Sequence, residues 1–159
     1  YIMILVILGT HSQPFDRLAE GIDKYAATTD EKIVVQMGVS NYPMQHVSKH
    51  FAFCSKEDMN GYMGEANLLV MQGGWGGMEE AIDLGKRIVA VPRIEGAEHI
   101  HNQEQLVRKL DNLGCVIGCY DIKKLADCIE KAKNFNFMPL QKGSATEIIA
   151  KHMKQWFDR

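Results

Sequence analysis

Short, almost wholly apolar runs alternate along this chain with longer segments in which apolar residues recur every three or four positions. It opens with "IMILVIL" (2–8), continues with "PFDRLAEGIDKYA" (14–26), and returns to the first kind in "KIVVQM" (32–37). The runs read as buried strands, and their alternation with amphipathic helices predicts βαβ units and a mostly parallel sheet. In the first helix Phe15, Leu18, Ile22 and Tyr25 share a face. Pro14 suits a first turn, where its missing N–H loses no internal bond, so a helix start near residue 13 is expected.

The pattern continues with "FAFC" (51–54), a helix near 57–65, "ANLLVM" (66–71), a helix beginning near Met78, and "RIVAVP" (87–92). Ile100, Leu106, Val107, Leu110 and Leu113 line one side of the next helix, which Gly114 can close in a left-handed conformation, and "CVIG" (115–118) supplies a sixth strand. Asp121 caps a helix carrying Ile122, Leu125, Ala126 and Ile129, and "NFNFMPLQKG" reads as a loop. Ser144 and Glu147 have the spacing of a capping box, whose serine contributes ~1 kcal/mol. The apolar residues of that last helix, Ile148, Ile149, Met153, Trp156 and Phe157, suit either packing on the sheet or docking a partner.

Composition narrows this picture little. A chain of 159 residues with 46% hydrophobic and 24% charged residues is expected to form one domain, spanning 1–159. A formal charge of −2 without runs of either sign leaves no footprint for a nucleic-acid backbone. The apolar opening is too short to span a bilayer and lacks the basic leader and cleavage site of a secretory signal. Cys54, Cys115, Cys119 and Cys128 have no CxxC spacing and read as packing residues.

Candidate chemistry sits at the strand-to-helix junctions, because ligands of open α/β sheets settle at the carboxyl ends of strands. In "GTHSQPF", Gly9 and Thr10 end the first strand, and amides at the following helix start suit an anion. In "QGGWGGMEE", Gly73, Gly74, Gly76 and Gly77 permit close approach, and the free N–H groups of the next helix suit a diphosphate. In "VPRIEGAEHIHNQEQL", Arg93, Glu98, His99, Asn102 and Gln103 supply paired donors and acceptors of the kind that grip sugar hydroxyls. A dinucleotide fingerprint fits poorly: Gly74 and Gly76 begin a GxGxxG, but Glu79 takes the third glycine position and the junction does not follow the first strand. No GxxxxGK[ST] is present.

Taken in order, "VILGTHSQPFDRL", "VVQMGVS", "QGGWGGMEEAIDLGKRIVAVPR" and "EHIHNQ" resemble the C-terminal domain of glycosyltransferase family 28, especially its short, stand-alone members, over roughly residues 3 to 118. The resemblance implies a Rossmann-like α/β domain, the donor-binding half of a GT-B glycosyltransferase, whose acceptor half is another protein. In the family pattern the glycine loop starts with His and ends in a Glu that binds ribose hydroxyls; here Gln72 and Glu80 hold those places, and Gly77 stands where Ser or Thr is usual. Gln72 can donate a hydrogen bond but cannot act as a base, which leaves His11 as the histidine on the presumed cleft.

The absence of any DxD in the sequence fits a metal-independent site with no cofactor. The resemblance further implies a UDP-sugar donor, an inverting transfer and a lipid-linked saccharide acceptor in exopolysaccharide or capsule synthesis. It implies a cytoplasmic subunit held at the inner membrane face by a membrane-anchored, acceptor-binding partner. Two other classes remain open: a non-catalytic subunit that enhances a complete glycosyltransferase, and an NAD-binding oxidoreductase.

Overall fold

The computed structural model describes residues 2–10, 12–94, 96 and 103–157, with side chains to residue 151. Six strands form one sheet: β1 (Met3–Ile7), β2 (Lys32–Gln36), β3 (Lys49–Phe51), β4 (Leu68–Gln72), β5 (Arg87–Val91) and β6 (Ile117–Gly118). Their spatial order is β3-β2-β1-β4-β5-β6, and every pairing is parallel. The expected sheet is therefore present, parallel throughout.

Alternation along each strand divides the core in two. Ile4 and Val6 of β1, with Leu8 just after it, join one hydrophobic cluster, while Met3 and Leu5 join the other. The first cluster packs against Leu18, Ala19 and Ile22 of α1 (Asp16–Ala26) and Leu125, Ile129 and Ala132 of α5 (Leu125–Asn134). The second packs against Met63 of α2 (Lys56–Glu65), Met78 and Ala81 of α3 (Trp75–Asp83), Leu106 and Leu110 of α4 (Gln103–Asn112), and Ile148 of α6 (Lys142–Phe157). With both faces covered, the central strands β1, β4 and β5 have no polar side, which is why they read as continuous apolar runs.

Several boundaries differ from the sequence expectation, each for a local reason. The first helix begins at Asp16, not near 13, because the Phe15 amide is held by Ser40 Oγ at 2.8 Å and Phe15 itself is non-helical. β3 stops at Phe51, where "FAFC" was expected to begin, because the Ala52 carbonyl accepts from the Gly38 amide and the Gln36 side chain, turning the chain off the sheet edge. The helix after the glycines starts at Trp75, three residues early. The last helix starts at Lys142, so Ser144 lies inside it and the capping box does not form; Ala145 N already bonds Gln141 O at 2.9 Å. Only Ile117 and Gly118 of "CVIG" pair as strand.

Other details agree. Asp121 accepts from Lys123 N at 3.0 Å and caps a single 3₁₀ turn (Ile122–Lys124) that runs into α5. Gly114 closes α4 with a φ of 76°. In α6, Ile148 is buried in the core and Ile149 is exposed; the side chains of Met153, Trp156 and Phe157 lie outside the described set. No helix among the described residues is long and apolar enough to cross a membrane.

Candidate functional site

The strand order reverses between β1 and β4, and in open parallel sheets the crevice at such a switch point takes the ligand. A cavity of about 500 Å³ opens there. Its floor is apolar, built from Ile7 and Met71 at the ends of β1 and β4 and from Met59 and Met63 of α2. Gly9, Thr10, Gln36 and Gln72 line it at the strand ends, Gly74, Gly77 and Glu80 along α3, and Cys54, Lys56 and Asn60 along the start of α2.

Two buried amides shape its back wall. Gln36 ends β2, and its side chain bonds both polar atoms of Gly9: Oε1 accepts from Gly9 N and Nε2 donates to Gly9 O, each at 3.1 Å. Gly9 and Gly38 have φ values of 99° and 59°, and a Cβ on Gly38 would stand 2.3 Å from the Gly9 carbonyl. Only glycine allows these loops to meet so closely. Gln103, first residue of α4, accepts from the amides of Gly73 and Arg93 at 3.2 and 3.0 Å and donates to Gln72 Oε1 at 3.0 Å.

Arg93 sits beneath this network rather than in it as a ligand-facing cation. It is 3% exposed and does not line the cavity. Its guanidinium donates to Gln72 Oε1 at 3.1 Å, to Leu8 O at 2.7 Å and to Gln13 O at 3.0 Å, and lies 4.6 Å from the centre of the Phe15 ring. Arg93 thereby ties the loop after β1 to the end of β4. The anion capacity expected of the β1–α1 junction is correspondingly reduced, since the Gly9 and Phe15 amides are both bonded internally.

The second junction is different. Gly74 caps α3 and has no side chain to occupy the helix start. Gly73 is a packing residue: a Cβ there would meet Val107 Cγ2 at 2.6 Å and Pro92 Cα at 3.3 Å. Gly76 faces open space, and Gly77 faces the cavity with only the tip of Met71 nearby, at 3.0 Å. First-turn amides of a helix have no intrahelical partner and sit at its positive end, so they attract oxyanions. Glu80, one turn on from Gly77, lines the same wall.

The expected site residues thus divide. Gly9, Thr10, Gln72, Gly74, Gly77 and Glu80 line one cavity; Gly73, Arg93 and Gln103 build its support; Gly76 stands beside it. His11, Glu98, His99 and Asn102 lie outside the described residues. Sequence reasoning missed Gln36 and the α2 wall. A glutamine closing the apolar run "KIVVQM" was the available signal for the first, while α2 was expected as a helix near 57–65 but nothing in its sequence marked it as a cavity wall.

A model of the glycosyltransferase family 28 C-terminal domain matches residues 3–156. The chain belongs to that family. The motif resemblance is borne out, and the family 28 match extends from β1 into α6. Among solved structures, the glycotransferase of kitacinnamycin is similar with a TM-score of 0.63 and 18% identity, over 97% of this chain and 39% of that one. ALG13 has a TM-score of 0.60 and 14% identity, over 92% of each chain. UDP-GlcNAc 2-epimerase from Neisseria meningitidis, solved bound to UDP-GlcNAc, has a TM-score of 0.55 and 15% identity, over 97% of this chain and 44% of that one. At such identities the likeness is one of fold, and this family 28 domain spans less than half the length of the first and third. No protein of curated function matches it by sequence.

Proposed function

We propose that this family 28 domain binds a UDP-sugar and serves as the donor half of a glycosyltransferase. The observation that carries the reading is the open cavity at the β1/β4 switch point, walled by the glycine-rich start of α3 and by Glu80. The pyrophosphate lies against the Gly76 and Gly77 amides, the ribose hydroxyls bond the Glu80 carboxylate, and the base enters the methionine-floored end beside α2. Glu98, His99 and Asn102 are the candidates for gripping the sugar hydroxyls. A family 28 domain and a fold shared with an epimerase that holds UDP-GlcNAc support a UDP-sugar over other nucleotides. No dinucleotide fingerprint follows β1.

In the transfer, a base removes the acceptor hydroxyl proton, that oxygen attacks the anomeric carbon with inversion, and the bond from this carbon to the UDP oxygen breaks. The charge released on the β-phosphate is met by the α3 amides and the helix end, the kind of preorganised electrostatic stabilisation that usually contributes most to such catalysis. The work is done without a metal, so donor binding is expected to persist in chelator. His11 is the candidate base; unchanged turnover of His11→Ala, assayed with the partner present, rules it out. The acceptor is a lipid-linked saccharide in exopolysaccharide or capsule synthesis, presented by a membrane-anchored subunit that holds this chain at the cytoplasmic membrane face.

Calorimetric titration of UDP, UDP-sugars and NAD into the purified chain tests the reading. Saturable UDP binding, tightened or relaxed by the sugar, is expected. Absence of any saturable binding would point to a non-catalytic enhancer, and preference for NAD to an oxidoreductase.

A further inference from the structure

Outside the lining of the donor cavity, the end of β6 and the first turn of α5 bring two of the four cysteines together. Cys119 follows β6 directly, is 1% exposed, and its thiol donates to Asp121 O at 3.3 Å. Cys128 is half-buried, and its thiol reaches the carbonyl of Gly118, the residue before Cys119, at 4.0 Å. The two thiols are close enough to influence each other's titration. Both thiols are free, and neither lines the cavity. The remaining cysteines are elsewhere: Cys115 is buried in the cluster on the opposite face of the sheet, and Cys54 lies at the cavity.

We propose that Cys119 and Cys128 form an oxidisable dithiol that a peroxide closes into a disulfide, clamping the edge strand β6 to α5. Cys128 is the attacking sulfur. It is the more accessible of the two, and its interaction with Cys119 holds its thiol below the ordinary cysteine range, while the same interaction and burial push Cys119 up. The Cys128 thiolate attacks one peroxide oxygen, the O–O bond breaks, and hydroxide leaves, giving a sulfenic acid. Cys119 sulfur then displaces the sulfenic oxygen, its proton departing with that oxygen as water. In sum two thiols and one hydrogen peroxide give one disulfide and two waters.

The bond would enclose the short turn 120–127 and fasten a strand that pairs with β5 through only two residues. An edge element held so lightly is where a cross-link adds most to cooperativity.

The experiment treats the intact purified chain with hydrogen peroxide and reads it by mass spectrometry and thermal unfolding. The expected result is a loss of about 2 Da, a cross-linked peptide joining residues 119 and 128, and a midpoint raised by several degrees, all reversed by reductant. Cys128→Ser, at a half-buried position chosen so that the chain still folds, should show neither the mass loss nor the rise. Sulfinic acid at Cys128 with Cys119 still alkylatable, a disulfide through another cysteine, or a midpoint that does not rise would overturn the proposal.

Discussion

The two strand-to-helix junctions that flank the cavity use their main chains in opposite ways. After β1 the chain takes a long path to α1, and its polar atoms are bonded by side chains from elsewhere: Gly9 by Gln36, Phe15 by Ser40, and the Leu8 and Gln13 carbonyls by Arg93. After β4 the chain enters α3 almost at once; Gly73 is bonded this way, through Gln103, and Gly74 brings no side chain to cap the helix. The first junction is a fixed wall and the second an open mouth. Glycine serves both ends: at Gly38 and Gly73 it lets structure close, and at Gly76 and Gly77 it keeps side chains out of the way. A glycine-rich loop is therefore not one device, and the surroundings of each missing Cβ decide which it is.

Of the changes that bear on this contrast, Arg93→Ala should do most damage. It removes the guanidinium from Leu8 O and Gln13 O and leaves buried acceptors unpaired, so a loss of roughly 3 kcal/mol or more in urea unfolding is expected. Next, Gly73→Ala forces a methyl against Val107 and should cost about 1–3 kcal/mol, whereas Gly76→Ala, facing open space, should leave stability unchanged or slightly improved. Equal effects at the two glycines would erase the distinction. Glu80→Gln separates binding from folding: unfolding should be unaltered, because Glu80 is exposed, while UDP affinity falls about tenfold through the loss of charged hydrogen bonds to ribose.

The smallest effect lies away from both junctions and serves as a control. Glu31 is ion-paired with Lys133 at 2.9 Å and accepts from the Tyr25 hydroxyl. Burial alone would raise its carboxyl, but hydrogen bonds from Tyr25, Lys133 and Thr29 outweigh that and hold it below the ordinary value of 4.5. The stability it contributes is complete above that value and is lost as pH falls through the lowered one. The gap between wild type and Glu31→Gln should narrow only below about pH 4.5. UDP binding by Glu31→Gln at neutral pH should match wild type.

Much of this architecture was legible because burial on both faces leaves strands with unbroken apolar runs, and those runs gave every strand but the edge strand β3, whose exposed Lys49 and His50 precede the run expected there. The boundaries were less legible. Pro14 obeys the local rule for a helix start, yet tertiary bonds to Phe15 and Gln13 delay α1 to Asp16. Ser144 and Glu147 have capping-box spacing, yet the helix already begins at Lys142. At the site, glycine density and the motif order located the cavity, and Glu80 does line it. The inward role of Arg93 was hidden, because a charge bonded to distant carbonyls has the same one-letter code as one awaiting phosphate. Gln36 was hidden for the same reason.

Backbone amide shifts during a UDP titration of the nitrogen-15-labelled chain test the central claim most directly, since each glycine reports separately. The Gly76 and Gly77 amides should move most and saturate together with Glu80, while the Gly73 amide, already held by Gln103, should barely shift. Largest changes at Gly73, or none along the start of α3, would contradict the account.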